Sequence, residues 1–136
     1  TVLTSSAASD VYKRQGFASL LGRLAVEGEV IAPTFDRARD ASIGSSSVVT
    51  PEMTTVIVEG NYLLLDEPGW RDLSAKWTLS VMLTAPIEEL EKRLIQRWLQ
   101  FGFTEADARV KALDNDLPNA RRVLNNSRAA DMTFSQ

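Results

Sequence analysis

The sequence predicts an α/β fold built on a parallel sheet, and three observations carry that prediction. Val56, Ile57 and Val58 form a short apolar, β-branched run that stops at Glu59 and Gly60. A run this short and this apolar reads as a strand buried on both faces, as parallel sheets require. Thr78–Thr84 is a second strand candidate, and a central position with both faces covered suits it better than an alternating edge. Stretches with helical period stand before and after these two runs.

Taken in order, residues 1–15 are rich in Ser, Thr and Ala and have no clear period. They read as a non-native or disordered segment. SDVYKRQ resembles a translated adapter remnant, with an ordinary frayed terminus as the alternative, and neither carries function. From Gly16 to Glu27 the apolar residues Phe17, Leu20, Leu21 and Leu24 make one helical stripe, which Gly28 ends. Val30 and Ile31 lead into Ala32-Pro33-Thr34-Phe35-Asp36-Arg37, where proline imposes an extended or turn conformation. Residues 41–50 are Ser-rich and predict an irregular loop or a weak strand. Glu67-Pro68-Gly69 is turn chemistry, and Trp70 and Trp77 after it read as partly buried packing groups. If the sheet prediction holds, the strands near 54–59 and 78–84 lie side by side.

A strong helix is expected next. Thr84 or Ala85 would cap it, Pro86 suits its first turn, and Glu88 and Glu89 suit its positive end. Ile87, Leu90, Leu94 and Trp98 form its apolar stripe, while Arg93 and Arg97, four apart, share another face. Thr104 and Asp107 have capping-box spacing and open a helix to about Leu113, with Ala106, Val110 and Leu113 inward. Asp114-Asn115-Asp116 should end that helix, and Asp116 should cap the next one, with Pro118 in its first turn.

Composition narrows the chemistry. The chain has 136 residues, so it is one domain or part of one, and 44% are apolar, enough for a core. A net charge of −3 leaves no electrostatic footprint for nucleic acid. With no cysteine there is neither a disulfide framework nor a thiolate metal site, and with no histidine the commonest general base is missing. Acid–base work would fall to carboxylates, lysine or tyrosine. No apolar run approaches the length of a membrane span and no secretory signal is visible, so a cytoplasmic protein is the default.

Glu59 is the first candidate site residue. Ligands of open α/β sheets sit beyond the carboxyl ends of the strands, where a carboxylate reaches Mg²⁺ or its water shell beside bound phosphates. The plainer alternative is a solvated acid at a strand end, with Gly60 turning the chain. The context is more informative. Four phrases occur in order: PTFDR at 33–37, VIVEGNYLLLD at 56–66, RLIQRW at 93–98 and NDLPNA at 115–120. Together they resemble the phosphoribulokinase/uridine kinase family of P-loop kinases, especially its bacterial nucleoside/nucleotide kinase-like branch. That branch is also similar to bacterial pantothenate kinases and to sugar kinases. The resemblance covers roughly residue 16 to the C-terminus, a partial kinase domain with its lid at about 93–122.

The resemblance implies a P-loop NTPase three-layer α/β/α fold with a parallel sheet. It also implies ATP and Mg²⁺ as cofactors, and phosphoryl transfer to a hydroxyl of a nucleoside, pantothenate-like or sugar acceptor. By the same resemblance Asp36, Arg37 and Asp40 lie on the acceptor side, with Asn61 and Tyr62 as further substrate-binding candidates. Glu59 takes part in catalysis through the Mg²⁺ shell. Arg93 and Arg97 meet the ATP phosphates, Arg97 catalytically. Arginine suits this because its planar fork stays charged and binds phosphate oxygens in pairs; a solvated basic face, paired with Glu89, is the alternative. Asn115, Asp116 and Asn119 are candidate nucleotide contacts, although helix caps use the same residue types. ADMTF at 130–134 resembles the start of the family's late strand.

One part of such a kinase is missing. The phosphate loop G-x-x-x-x-G-K-[ST] holds phosphates on its backbone N–H groups and helix N-terminus. The sequence has no Gly-Lys pair, and its four lysines, Lys13, Lys76, Lys92 and Lys111, stand outside any glycine loop. The expectation is therefore a fragment, with first strand, phosphate loop and catalytic base upstream, and inactive alone. Its expected partners are a small-molecule phosphate acceptor and, through self-association, a second copy in a homodimer. The alternative is a complete small α/β domain that binds a ligand or protein without catalysis.

Overall fold

Pairing in the sheets, more than the helices, sets the architecture. The computed structural model describes residues 2–4, 11–36 and 41–136, with side chains described at 14–34 and 43–136. The elements are β1 (Val2–Thr4), α1 (Val11–Leu24), β2 (Val30–Asp36), β3 (Ala41–Val49), β4 (Ile57–Glu59), a 3₁₀ turn (Arg71–Lys76), β5 (Val81–Thr84), α2 (Ile87–Gln100), α3 (Glu105–Lys111), a π turn (Ala112–Asp116), α4 (Leu117–Asn126) and β6 (Met132–Ser135). They fall into two units, one holding residues up to 63 with 67–77, the other 64–66 with 78–136. The class is mixed α/β, as expected, with parallel strands in both units.

In the first unit β1 pairs parallel with β4, and β2 pairs antiparallel with β3. Helix α1 begins at Val11, five residues before the expected start, and both β1 and the first residues of α1 fall within 1–15. Its apolar stripe is as expected. Leu20 packs with Val30, Ala32 and Val49, and Phe17, Leu24, Val56 and Val58 close around them. Each fully buried side chain of this size contributes about 1.5–3 kcal/mol. The Ser-rich stretch expected as a loop or weak strand is a nine-residue strand, β3. Its partner β2 supplies the ladder, and Thr34 and Ser46 bond across it, Oγ1 to Oγ at 2.7 Å. The register slips between Ala32 and Thr34, where Pro33 has no N–H to give.

β4 departs from expectation in burial. Ile57 is 57% exposed, so the strand is not covered on both faces among the described residues. Nor is it the hydrogen-bonded neighbour of the strand near 78–84. β4 pairs with β1 and β5 with β6. Apolar pattern marks a strand but does not choose its partner. Trp70, 6% exposed, packs tilted on Tyr62 with ring centroids 5.8 Å apart.

In the second unit β5 and β6 pair parallel from Val81↔Met132 to Thr84↔Ser135. Ser127 bridges Leu65, which is fully buried. The expected burial of β5 on both faces does not hold either, since Val81 and Leu83 are exposed. Thr84 lies within β5, and Pro86 rather than Thr84 or Ala85 occupies the N-cap of α2, its carbonyl accepting from Glu89 and Leu90. Between α3 and α4 the backbone stays helical through the π turn instead of stopping at Asp114-Asn115-Asp116. The inward face of α3 is also different: Ala108 and Ala112 are fully buried, whereas Ala106, Val110 and Leu113 are exposed. Alanines permit the closest approach to a neighbouring helix, and α3 packs on α2.

Candidate functional site

The acceptor-side candidates all lie in the first unit. Asp36 is the last residue of β2, opposite Ala41 in the hairpin, while Arg37 and Asp40 lie outside the described residues. Glu59 ends β4 and is exposed, in register with Thr4 of β1. This is the strand-end position expected of it. Asn61 and Tyr62 follow in the turn, Asn61 exposed and Tyr62 half-buried against Trp70. Asp36 and Glu59 thus end strands of two different sheets of this unit.

The phosphate-side candidates lie in the second unit and are more closely organised. The amphipathic pattern of α2 leaves Arg93 and Arg97 on one exposed face, along a shallow depression lined by Glu89, Lys92, Arg93, Gln96, Arg97 and Gln100. Arg93 Nε donates to Glu89 Oε1 at 2.8 Å and its Nη1 to Gln136 Oε1 at 3.1 Å. Arg97 Nη2 donates to Asp116 Oδ2 at 2.8 Å, and the neighbouring Trp98 Nε1 donates to the same oxygen at 2.7 Å. The Arg97 guanidinium carbon also stands 5.2 Å from the Trp98 ring centroid, within cation–π range.

Asn115 and Asp116 belong to the π turn, a form that occurs mostly as single turns within α-helices and often at functional sites. Asp116 makes no side-chain cap to α4, and its backbone is αR. The cap role expected for it is therefore replaced by the bonds to Arg97 and Trp98. Asn115 Nδ2 donates to Asp116 Oδ1 at 3.3 Å, and Asn119 Nδ2 to Asn115 Oδ1 at 3.4 Å. The structure thus joins four of the candidates, Arg97, Asp116, Asn115 and Asn119, in one chain of hydrogen bonds.

Sequence reasoning placed Trp98 in the apolar stripe and missed its indole N–H. Trp98 does pack on Phe103, edge to face at 5.3 Å, and Lys111 Nζ lies 4.9 Å from its ring centroid. The only signal was a tryptophan, which needs a partner for its N–H when buried, beside a candidate arginine. Nothing in the spacing pointed to a carboxylate 18 positions on.

Among the described residues, no group of three or more Asp and Glu side chains comes together to hold a metal ion. An ion such as Mg²⁺ keeps several waters and takes only one or two carboxylates, so it does not require such a group.

No protein-family model matches the chain. It is 31% identical over 110 residues to a Schizosaccharomyces pombe protein proposed to be a uridine kinase, covering 79% of this chain and 47% of that protein. The crystal structure of a Silicibacter sp. TM1040 protein, proposed to be a fructose transport system kinase, superposes with a TM-score of 0.84 at 46% identity. That match covers 89% of this chain and 59% of the other. YFH7 of Saccharomyces cerevisiae, proposed to be a P-loop kinase with a circular permutation, superposes with a TM-score of 0.66 at 26% identity. It covers 79% of this chain and 36% of that one. The chain spans about half the length of the curated relatives it matches over 110 residues. In sequence and in fold it is a relative of the uridine kinase-like P-loop kinases.

Proposed function

We propose that the chain is the acceptor-binding and lid part of an ATP-dependent small-molecule kinase. The reaction is transfer of the ATP γ-phosphoryl group to a hydroxyl of a nucleoside, pantothenate-like or sugar acceptor. The observation that carries this reading is the exposed α2 face with Arg93 and Arg97, the latter anchored by Asp116, in a chain that superposes with a TM-score of 0.84 on a protein proposed to be a fructose transport system kinase. The names of the relatives favour a nucleoside or a sugar: one is proposed to be a uridine kinase, the other a fructose transport system kinase.

In this reading the chain's own residues position and neutralise charge, which is most of what phosphoryl transfer asks of a protein. Arg93 and Arg97 lie against the phosphates, Arg97 countering the charge that develops on the transferred group. Asn115 and Asn119 form the nucleotide side, and Asp116 joins them to Arg97. Asp36, Arg37, Asp40, Asn61 and Tyr62 hold the acceptor. Glu59 would hold Mg²⁺ through its water shell, and that ion would supply neutralisation of the phosphate charge. The phosphate loop and the base for the acceptor hydroxyl come from outside this sequence, which has no Gly-Lys pair.

The test compares this chain with a longer protein that carries a phosphate loop ahead of it, each given Mg·ATP with uridine, pantothenate or fructose. The chain alone shows no turnover and binds Mg·ATP weakly; the longer protein turns over. There Arg97→Ala lowers kcat roughly a hundredfold, as expected for a donor acting in the transition state. Glu59→Gln lowers kcat and changes its Mg²⁺ dependence. Turnover by the chain alone overturns the partial-site reading. Unchanged kinetics for Arg97→Ala remove the lid role and leave a solvated helix face.

A further inference from the structure

We infer that Asp116 is the positioning residue of Arg97, and that it serves a bound polyphosphate only through that arginine. The inference rests on the phosphate-binding reading of Arg97 and adds to it the device that aims the side chain.

The geometry of Asp116 points inward. Its side chain is only 14% exposed, whereas that of Arg97 is 49% exposed. One carboxylate oxygen accepts both Arg97 Nη2, at 2.8 Å, and Trp98 Nε1, at 2.7 Å, and the other accepts Asn115 Nδ2 at 3.3 Å. Both oxygens are thus committed to donors of the protein. A carboxylate set against a phosphate would add repulsion between like charges, so direct contact with the nucleotide is the poorer role for it.

Its partner is the group that suits a phosphate. Guanidinium carries five N–H donors in a rigid fork, and the ion pair engages Nη2 while half of the side chain stays in solvent. The indole face at 5.2 Å restrains the same group from another side. Trp98 itself packs edge to face on Phe103 at 5.3 Å, so the indole N–H that meets the carboxylate comes from a ring with its own packing partner. An arginine ordered beforehand loses less rotamer freedom when a phosphate arrives.

Arg93 provides the contrast. Its carboxylate partner Glu89 lies one turn back on the same helix and is 40% exposed, an ordinary i,i+4 pair worth little, and its other bond, at 3.1 Å, goes to the neutral amide oxygen of Gln136, the last residue. Asp116 instead comes from a different element, the π turn 19 residues on. Holding the arginine across two elements ties its direction to the packing of α2 against that turn.

The test is an NMR titration of this chain with inorganic tripolyphosphate, a method that reads millimolar dissociation constants, every protein carrying Leu83→Lys on the exposed face of β5 to keep it monomeric. Four proteins are compared: the unsubstituted chain, Arg97→Ala, Asp116→Asn and the double variant. Arg97→Ala is expected to weaken binding by roughly tenfold, and Asp116→Asn by roughly two- to tenfold, the cost of ordering one long side chain. The double variant is expected to bind no more weakly than Arg97→Ala, because Asp116 acts only through Arg97. A merely structural Asp116 lowers the melting temperature in both backgrounds and leaves the affinity of the folded protein alone, which overturns the inference. Tighter binding in Asp116→Asn, or a further loss in the double variant, also overturns it. In these cases Arg97 still binds phosphate. If the unsubstituted chain shows no binding, or Arg97→Ala binds unchanged, the phosphate role of Arg97 fails and the positioning role with it.

Discussion

Asp131 ties the start of β5 to the start of β6 with one side chain. Its Oδ2 accepts Ser80 N at 2.8 Å and Ser80 Oγ at 2.6 Å, and Ser80 Oγ accepts the Asp131 N–H at 3.0 Å. The Ser80 hydroxyl, then the Ser80 backbone N–H, hold the carboxyl below the usual carboxylate range by bonding to its charged form. A carboxyl whose folded-state pKa lies below its unfolded value contributes fully above the unfolded value, about 3.9 for Asp. That contribution is lost as pH falls through the folded-state pKa. Asp131→Asn is therefore expected to lower stability at pH 6 and to flatten the loss of stability below about pH 4. Chemical denaturation of both proteins across pH 2.5–7 measures the difference, and parallel curves would remove the role. Gly69 is a second single-residue device. Its φ is +85°, and a Cβ there would collide with the Arg14 guanidinium, which donates through Nη1 to Pro68 O at 2.9 Å. Gly69→Ala should cost about 1–2 kcal/mol in equilibrium unfolding, mainly from the left-handed backbone.

At the scale of elements, α3 illustrates how local chemistry starts a helix and tertiary contacts decide its course. Thr104 caps it: Asp107 N donates to Thr104 Oγ1 at 3.2 Å, and Thr104 Oγ1 donates to Asp107 Oδ2 at 2.7 Å. The spacing alone announced this pair, with Asp in place of the preferred Glu. Thr104→Ala is expected to lower stability by about 1 kcal/mol, read as a fall in the thermal midpoint, whereas Thr104→Ser should retain most of it. The end of α3 was not legible. Asp114-Asn115-Asp116 reads as a stop because these side chains compete for backbone groups. Here the Asp116 carboxylate is taken instead by Arg97 and Trp98, and the helix runs on through the π turn. The stripe of α2 was legible in advance, since Ile87, Leu90, Leu94 and Trp98 all lie on its half-buried side. On α3 the pattern misled, because buried alanines carry a weak hydrophobic signal.

Across the whole chain, the exposed strands set how it behaves in solution. On β5–β6 the paired residues Val81 and Met132 are 47% and 45% exposed, and Leu83 and Phe134 are 61% and 50% exposed. They alternate along both strands and so share one apolar face. Soluble monomers rarely leave apolar patches larger than about 300–600 Å² uncovered. The chain expressed by itself is therefore expected to self-associate at micromolar concentration and to bind a dye that reports apolar surface. Leu83→Lys should shift the sedimentation profile toward monomer and reduce dye binding. A sharp, monomeric, dye-silent species without the substitution would show that this face needs no cover. No helix among the described residues is long and apolar enough to cross a membrane.

The amino-acid sequence by itself determined the class of most elements and which charged side chains stand at the candidate site. The α1 stripe, the extended segment at 33–36 and the helix after Pro86 follow from short-range rules of period, proline and cap, whereas the late strand near ADMTF was expected from the family resemblance. The arginines of α2 and the acid at the end of β4 were visible because charge and strand ends are local properties. Which strands pair was decided only in three dimensions: β4 with β1 and β5 with β6, through backbone hydrogen bonds that no side chain encodes. So was the partner of Arg97. A carboxylate 19 residues away meets it only because α2 packs on the π turn, and that contact is a property of packing rather than of spacing.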